Sequence, residues 1–108
     1  MKVALFSSLL QFRLMSDIVQ QKLSTLLQQA KEAHHQFETI ELGGQFDEQW
    51  AAWYADYLVT GGIASLLGKE PDVDQLSSQL NEISQRHKAE RTAEPWQEYT
   101  ARELLAAY

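Results

Sequence analysis

The chain contains no cysteine among its 108 residues, which excludes disulfides, thiolate zinc sites, iron–sulfur clusters and cysteine nucleophiles. Positive charge is also scarce, because nine scattered basic residues stand against fifteen acidic ones. A nucleic-acid-binding protein needs clustered cations to displace counterions from phosphates. An anionic membrane surface attracts clustered cations in the same way. The sequence therefore predicts neither a nucleic-acid partner nor a membrane partner.

Long apolar runs and glycine-rich motifs are missing as well. No run reaches the roughly 20 apolar residues of a transmembrane helix. The pairs Gly43–Gly44 and Gly61–Gly62 lack the spacing of phosphate-binding loops, and no serine lies in a G-x-S-x-G elbow. The stretch Lys2–Leu10 has too little positive charge and no cleavage motif for a secretion signal. We expect a soluble, cytoplasmic protein that is not an enzyme, with acid–base catalysis by a histidine and a carboxylate left open.

The sequence around Met15 indicates where the helical domain begins. Met15 is followed by Ser16 and Asp17, and such residues accept hydrogen bonds from the open N–H groups at a helix start. We therefore interpret residues 1–14 as an N-terminal extension, or as the product of an upstream start codon with Met15 as the native start. Residues 15–108 then form a single helical domain of ordinary size.

Apolar residues recur at three- and four-residue steps from Ser16 onwards, which predicts a long amphipathic helix. The segment 39–46 predicts a loop, and Asp47 is placed to cap a second helix that Gly61–Gly62 would end. Residues 63–68 predict a short helix closed by a glycine. No strand-like alternation lasts long enough to build a sheet, so the predicted fold class is all-α.

The second half of the chain contains two further predicted helices. Asp72 or Asp74 can start the longer one. Pro95 suits the first turn of the last one, because proline has no N–H group to leave without a partner.

The two halves of the chain have similar residues at corresponding positions. A shift of 53 positions aligns Leu23 with Leu76 and His34 with His87. A shift of 46 positions aligns Trp50 with Trp96, and Trp53 with Tyr99. The half-repeats 16–60 and 72–108 each predict an αα-hairpin. Two such hairpins would form a four-helix bundle with an approximate internal two-fold repeat.

Aromatic residues are concentrated between Phe46 and Val59. Because the same tryptophan recurs in both halves, we interpret these rings as packing groups and not as a binding box for one ligand. Adjacent helical positions lie about 100° apart, so some rings must face outwards. We predict that Tyr54 and Tyr57 form an exposed patch for an unknown protein partner or for a second copy in a homodimer. The full set of interaction or packing aromatics is Trp50, Trp53, Tyr54, Tyr57, Trp96 and Tyr99.

Two motifs resemble a known group of proteins. "AHHQFE" at 33–38 and "DEQWAAWYADYLV" at 47–59 resemble the A-H-H-x-aromatic-E and W-x-x-W-Y-A-x-Y-L signatures of a family of small, uncharacterised bacterial helical proteins. "PWQEYTARELL" at 95–105 resembles the later copy in that family. The resemblance covers about residues 17–107. It implies a helical, repeated architecture and no particular activity.

Histidine and carboxylate pairs offer an alternative function in divalent-metal binding. One candidate set combines helix-spaced pairs from the two halves and would suit zinc or iron: His34, His35, Glu38, His87 and Glu90. Loop acids offer oxygen ligands for calcium: Glu41, Asp47 and Glu48, or Glu70, Asp72 and Asp74. Without such a metal we expect no cofactor. The function that the sequence favours is a protein-interaction or regulatory module.

Overall fold

Five helices and their connecting loops make up the part of the chain that the computed structural model describes, which is the backbone of residues 2–108 and the side chains of residues 14–108. The helices are α1 (Lys2–Ile40), α2 (Trp50–Thr60), α3 (Ile63–Leu67), α4 (Val73–Glu90) and α5 (Trp96–Ala107). No strand occurs among the described residues. The all-α prediction is confirmed.

Local chemistry sets most of the helix ends. The Gly61 N–H bonds the Tyr57 carbonyl at 2.8 Å and closes α2. Gly68 adopts a left-handed conformation (φ 75°) and closes α3, at the predicted place. Asp72 caps α4, because its carboxylate accepts from the Gln75 N–H at 2.9 Å. Pro95 stands directly before α5, a place where its missing N–H leaves no hydrogen bond unmade.

Two predicted helix starts are wrong. The helix predicted to start at Ser16 starts at Lys2 and runs continuously through Ser16. No proline or glycine interrupts residues 2–42, and the exposed side chains of Ser16 and Asp17 are tolerated inside a helix. Helix α2 begins at Trp50 and not directly after Asp47. The Asp47 carboxylate instead accepts from the Gln49 N–H, at 2.9 Å, in the turn that precedes α2. The predicted extension at 1–14 is continuous with α1, and most of its side chains lie outside the described residues.

The four longer helices surround one core. Helix α1 packs against α2 and α5, and α4 packs against the same two helices. The short α3 packs against α1 and α2. Fully buried leucines at equivalent positions of α1 and α4 meet in the centre together with those of α2 and α5: Leu23, Leu27, Leu58, Leu76, Leu80 and Leu104. This is a four-helix bundle with a fifth, short helix beside it.

The two halves share some local geometry. The His34 ring lies edge-on to Trp53, with ring centroids 4.9 Å apart. The His87 ring lies edge-on to Tyr99, the residue that the repeat pairs with Trp53, at 5.0 Å. These are matching arrangements at matching positions. That the chain is an internal repeat stays a prediction.

Candidate protein-interaction surface

Trp50 and Trp96 meet across the bundle. Their ring centroids lie 6.4 Å apart at 73°. Tyr54 is edge-on to both indoles, at 5.4 Å from Trp50 and 5.7 Å from Trp96. The Trp96 indole N–H donates to Ser84 Oγ at 2.8 Å. These rings therefore link α2, α4 and α5, and both tryptophans are half-buried against the core.

The predicted exposure of Tyr54 is wrong. Tyr54 is only 7% exposed, because it lies three residues after Ala51 and four before Leu58, on the side of α2 that faces the core. Burial raises the pKa of Tyr54 to about 12, with a smaller contribution from the carboxylate of Glu38. Tyr99 is also buried, between the His87 ring and the Arg102 guanidinium. Neither tyrosine is available to a partner.

Trp53 and Tyr57 of α2 are half-buried, as Trp50 is. Their rings are stacked, with centroids 5.6 Å apart and planes 14° apart. They line an open groove that continues along α1 and reaches α3. This α1–α2–α3 groove is lined chiefly by the following residues: Ile18, Lys22, Leu26, Gln29, Trp53, Asp56, Tyr57, Gly61 and Leu66.

Close packing at Gly61 shapes the middle of the groove. A Cβ atom on Gly61 would lie 3.0 Å from Leu26 Cδ1 and 3.1 Å from the Tyr57 carbonyl oxygen. Because glycine has no Cβ, α1 can approach the end of α2 this closely. From the sequence, Gly61 was predicted only as a helix terminator, and the groove was not predicted. The residue that could have indicated the groove is Leu26, which lies at the edge of the buried stripe of α1 and is half-buried.

His34 packs against the Trp53 ring and belongs to a buried polar cluster with Asp47 and Glu38. His34 is 5% exposed and Asp47 is 9% exposed. The His34 Nε2–H donates to Asp47 Oδ2 at 2.9 Å, while Glu38 Oε1 lies 3.6 Å from His34 Nδ1. The Asp47 backbone N–H donates to Glu38 Oε2 at 3.0 Å. The cluster therefore ties the loop between α1 and α2 to the end of α1.

The hydrogen bond from His34 holds the pKa of Asp47 below its ordinary value, and the Gln49 N–H adds to this effect, while burial opposes it. A lowered folded-state pKa means that the ionised Asp47 contributes stability above the unfolded-state pKa of about 4, and that this contribution is lost as the pH falls through the lower folded-state pKa. We expect Asp47→Asn to lower the free energy of unfolding near pH 7. The difference in free energy of unfolding between the variant and the wild type should become smaller below about pH 4. Urea unfolding across this pH range measures it.

Glu48→Gln is the matched control, because Glu48 is the exposed neighbour of Asp47 and carries the same charge. It is expected to leave the free energy of unfolding within about 0.5 kcal/mol at every pH. A gap between Asp47→Asn and wild type that stays constant down to about pH 2 would contradict the assigned role of the carboxylate.

The predicted metal ligands do not assemble. No group of three or more histidine, aspartate or glutamate side chains suited to an ion occurs in the described part of the chain. His34 is engaged with Asp47, and the His87 Nε2–H donates to the Glu94 carbonyl at 2.7 Å. His35 and Glu90 are exposed.

The calcium alternative meets the same difficulty. Asp47 is taken by His34, and Asp72 caps α4. The other predicted calcium ligands are exposed, and Asp74 lies in the first turn of α4. They form no ion-binding group within the described residues: Glu41, Glu48, Glu70 and Asp74. Metal binding stays a prediction, and thermal melts with EDTA and with single divalent ions would test it.

Comparison of the chain with protein-family models, with curated proteins and with solved structures finds no match. The resemblance to the bacterial family therefore stays a prediction. None of the helices in the described part of the chain contains an apolar stretch of the length that a bilayer-spanning segment needs.

Proposed function

We propose that the protein is a non-enzymatic, cytoplasmic interaction module that binds an amphipathic, basic helix of a partner protein in the α1–α2–α3 groove. The observation that carries the proposal is the Trp53–Tyr57 stack, held half-buried beside Asp56 at one end of this groove. A helix-in-groove mode needs an apolar channel with anchoring positions along it, and the groove supplies Ile18, Leu26 and Leu66 for that purpose.

Charge favours a basic side chain at the end of the groove beside Trp53 and Tyr57, where Asp56 lies, whereas Lys22 lines the part that reaches α3. Asp56 is exposed and has no ion-pair partner within the described residues. A guanidinium or ammonium group that reached Asp56 could also lie over the adjoining aromatic rings, where the ring quadrupole attracts cations. The net charge of −6 on the whole chain would draw a basic partner and repel an acidic one.

Two synthetic peptides provide the probe. Both form the same amphipathic helix with leucine on one face, and they carry either arginine or glutamate on the other. Titration into ¹⁵N-labelled protein is expected to shift the Trp53 indole signal and the amide of Gly61 with the arginine peptide. The glutamate peptide is expected to bind more weakly, because it faces an acidic surface.

Asp56→Asn should weaken binding of the arginine peptide by up to about fivefold, because it removes an exposed ion pair that contributes up to about 1 kcal/mol. Glu82→Gln, an exposed acid on α4 with the same change of charge, should leave the affinity unchanged. Equal affinities for both peptides, or shifts confined to residues outside the groove, would overturn the proposal.

A further inference from the structure

The two ends of the α1–α2–α3 groove carry opposite charges. Asp56 lines the end beside Trp53 and Tyr57, and Lys22 lines the end that reaches α3. Both charged side chains are exposed, and neither has an ion-pair partner within the described residues. The other described residues that line the groove are uncharged. The groove therefore has an acidic end and a basic end.

Two contacts between α1 and α2 set the scale of the groove. Leu26 of α1 lies against Gly61 of α2, and the His34 ring of α1 lies against the Trp53 ring of α2. The second contact is eight residues further along α1 and eight residues further back along α2. The two helices are therefore antiparallel and advance together, so distances along the groove can be counted in residues of either helix.

The two charges are separated by about the length of a short helix. Lys22 lies four residues before Leu26 on α1, and Asp56 lies five residues before Gly61 on α2. Because the helices are antiparallel, these two steps lead to opposite ends of the groove. They place the charges about 13 Å apart along it, at about 1.5 Å per residue, which equals about nine residues of a bound helix.

The two charges also belong to different walls of the groove, since Lys22 is part of α1 and Asp56 is part of α2. A bound helix makes roughly two and a half turns over about nine residues, so side chains with this spacing project to opposite sides. One such side chain can face α1 while the other faces α2, and the apolar face between them lies in the groove.

We infer that the basic helix of the partner also carries an acidic side chain, about nine residues from a basic one, and that it binds in one direction, with the base at Asp56 and the acid at Lys22. The inference rests on the proposed function, because it concerns the same groove. A helix bound in the opposite direction would place each charge beside a like charge, which is unfavourable. Each exposed ion pair contributes up to about fivefold in affinity, so the two directions should differ by up to about 25-fold.

A spin-labelled peptide tests the direction of binding. The peptide forms an amphipathic helix with leucine on one face, and its arginine and glutamate are about nine residues apart on the two flanks. A nitroxide is attached at the basic end in one sample and at the acidic end in another, and it broadens the signals of nearby protons in ¹⁵N-labelled protein. The label at the basic end is expected to broaden the Trp53 indole signal, and the label at the acidic end the Ser65 amide signal.

Reversal of the two charges in the groove should turn the peptide around. In the double variant Lys22→Glu, Asp56→Lys, the label at the basic end is expected to broaden the Ser65 amide signal instead. Glu82→Lys, Lys88→Glu is the matched control, because it exchanges the same charges at exposed positions of α4, which does not line the groove. The control should leave the direction unchanged. The thermal melt of each variant checks that it is folded.

The outcomes separate this inference from the proposed function. Equal broadening at both ends of the groove would overturn the inference and leave the helix-binding groove in place, and so would a direction that charge reversal does not change. A peptide that shifts neither the Trp53 indole signal nor the Gly61 amide signal would overturn both. Opposite directions in the wild type and the charge-reversed variant are the result that the inference predicts.

Discussion

Leu27→Ala is expected to lower the free energy of unfolding by about 3 kcal/mol, within the range of roughly 2–5 kcal/mol found for leucines removed from closed cores. Leu27 has no exposed surface and lies in the centre of the bundle. Its loss removes the transfer free energy of the side chain and leaves a cavity that four packed helices cannot close. Urea unfolding followed by tryptophan fluorescence measures the change.

Leu26→Ala provides the control for that experiment. Leu26 is the adjacent residue of the same helix and is half-buried in the α1–α2–α3 groove. The two substitutions change helix propensity identically, so only burial distinguishes them. We expect Leu26→Ala to cost about 1 kcal/mol, because its site is already open to water. Equal losses of unfolding free energy for Leu26→Ala and Leu27→Ala would mean that the buried face of α1 is wrongly assigned.

His34→Ala is expected to cost about 3 kcal/mol, because it leaves the buried carboxylate of Asp47 without its donor and beside the carboxylate of Glu38. It also removes the ring that lies against Trp53 and Tyr54. His35→Ala changes the exposed neighbour and should stay within about 0.5 kcal/mol of wild type.

His34→Gln separates the polar part of this effect from the packing part. Its amide can still donate to Asp47, so it is expected to retain part of the stability that His34→Ala loses. Chemical denaturation of the four proteins at pH 7 gives the comparison. If His34→Ala proved as stable as His35→Ala, the buried cluster would have no role in holding the loop between α1 and α2.

Local chemistry explains why many of the helix ends could be predicted. Gly68 and Asp72 act through their own backbone conformation or side chain, so the residue type is enough to identify them. Ser16 also has a side chain that can cap a helix, but it lies inside α1. A capping residue does not begin a new helix where the residues on both sides of it are already helical. A cap signal is therefore more informative beside a glycine or a proline.

Burial around α2 could have been predicted more closely than it was. Ala51, Tyr54 and Leu58 follow each other at steps of three and four, which places Tyr54 on the buried side. The contact between His34 and Asp47 is different in kind. It joins a helix to a loop thirteen residues later, and the path of that loop is set by the packing of α2 on α1. No spacing in the sequence specifies that path.

Trp50 of α2 and Trp96 of α5 meet across the bundle, and this contact positions α2 and thereby the groove. Two-dimensional NOE spectra of the two assigned indoles test it most directly. The packing predicts cross-peaks between the ring protons of Trp50 and Trp96, and between each indole and the ring of Tyr54. Well-resolved indole signals with no cross-peak between α2 and α5 would contradict it.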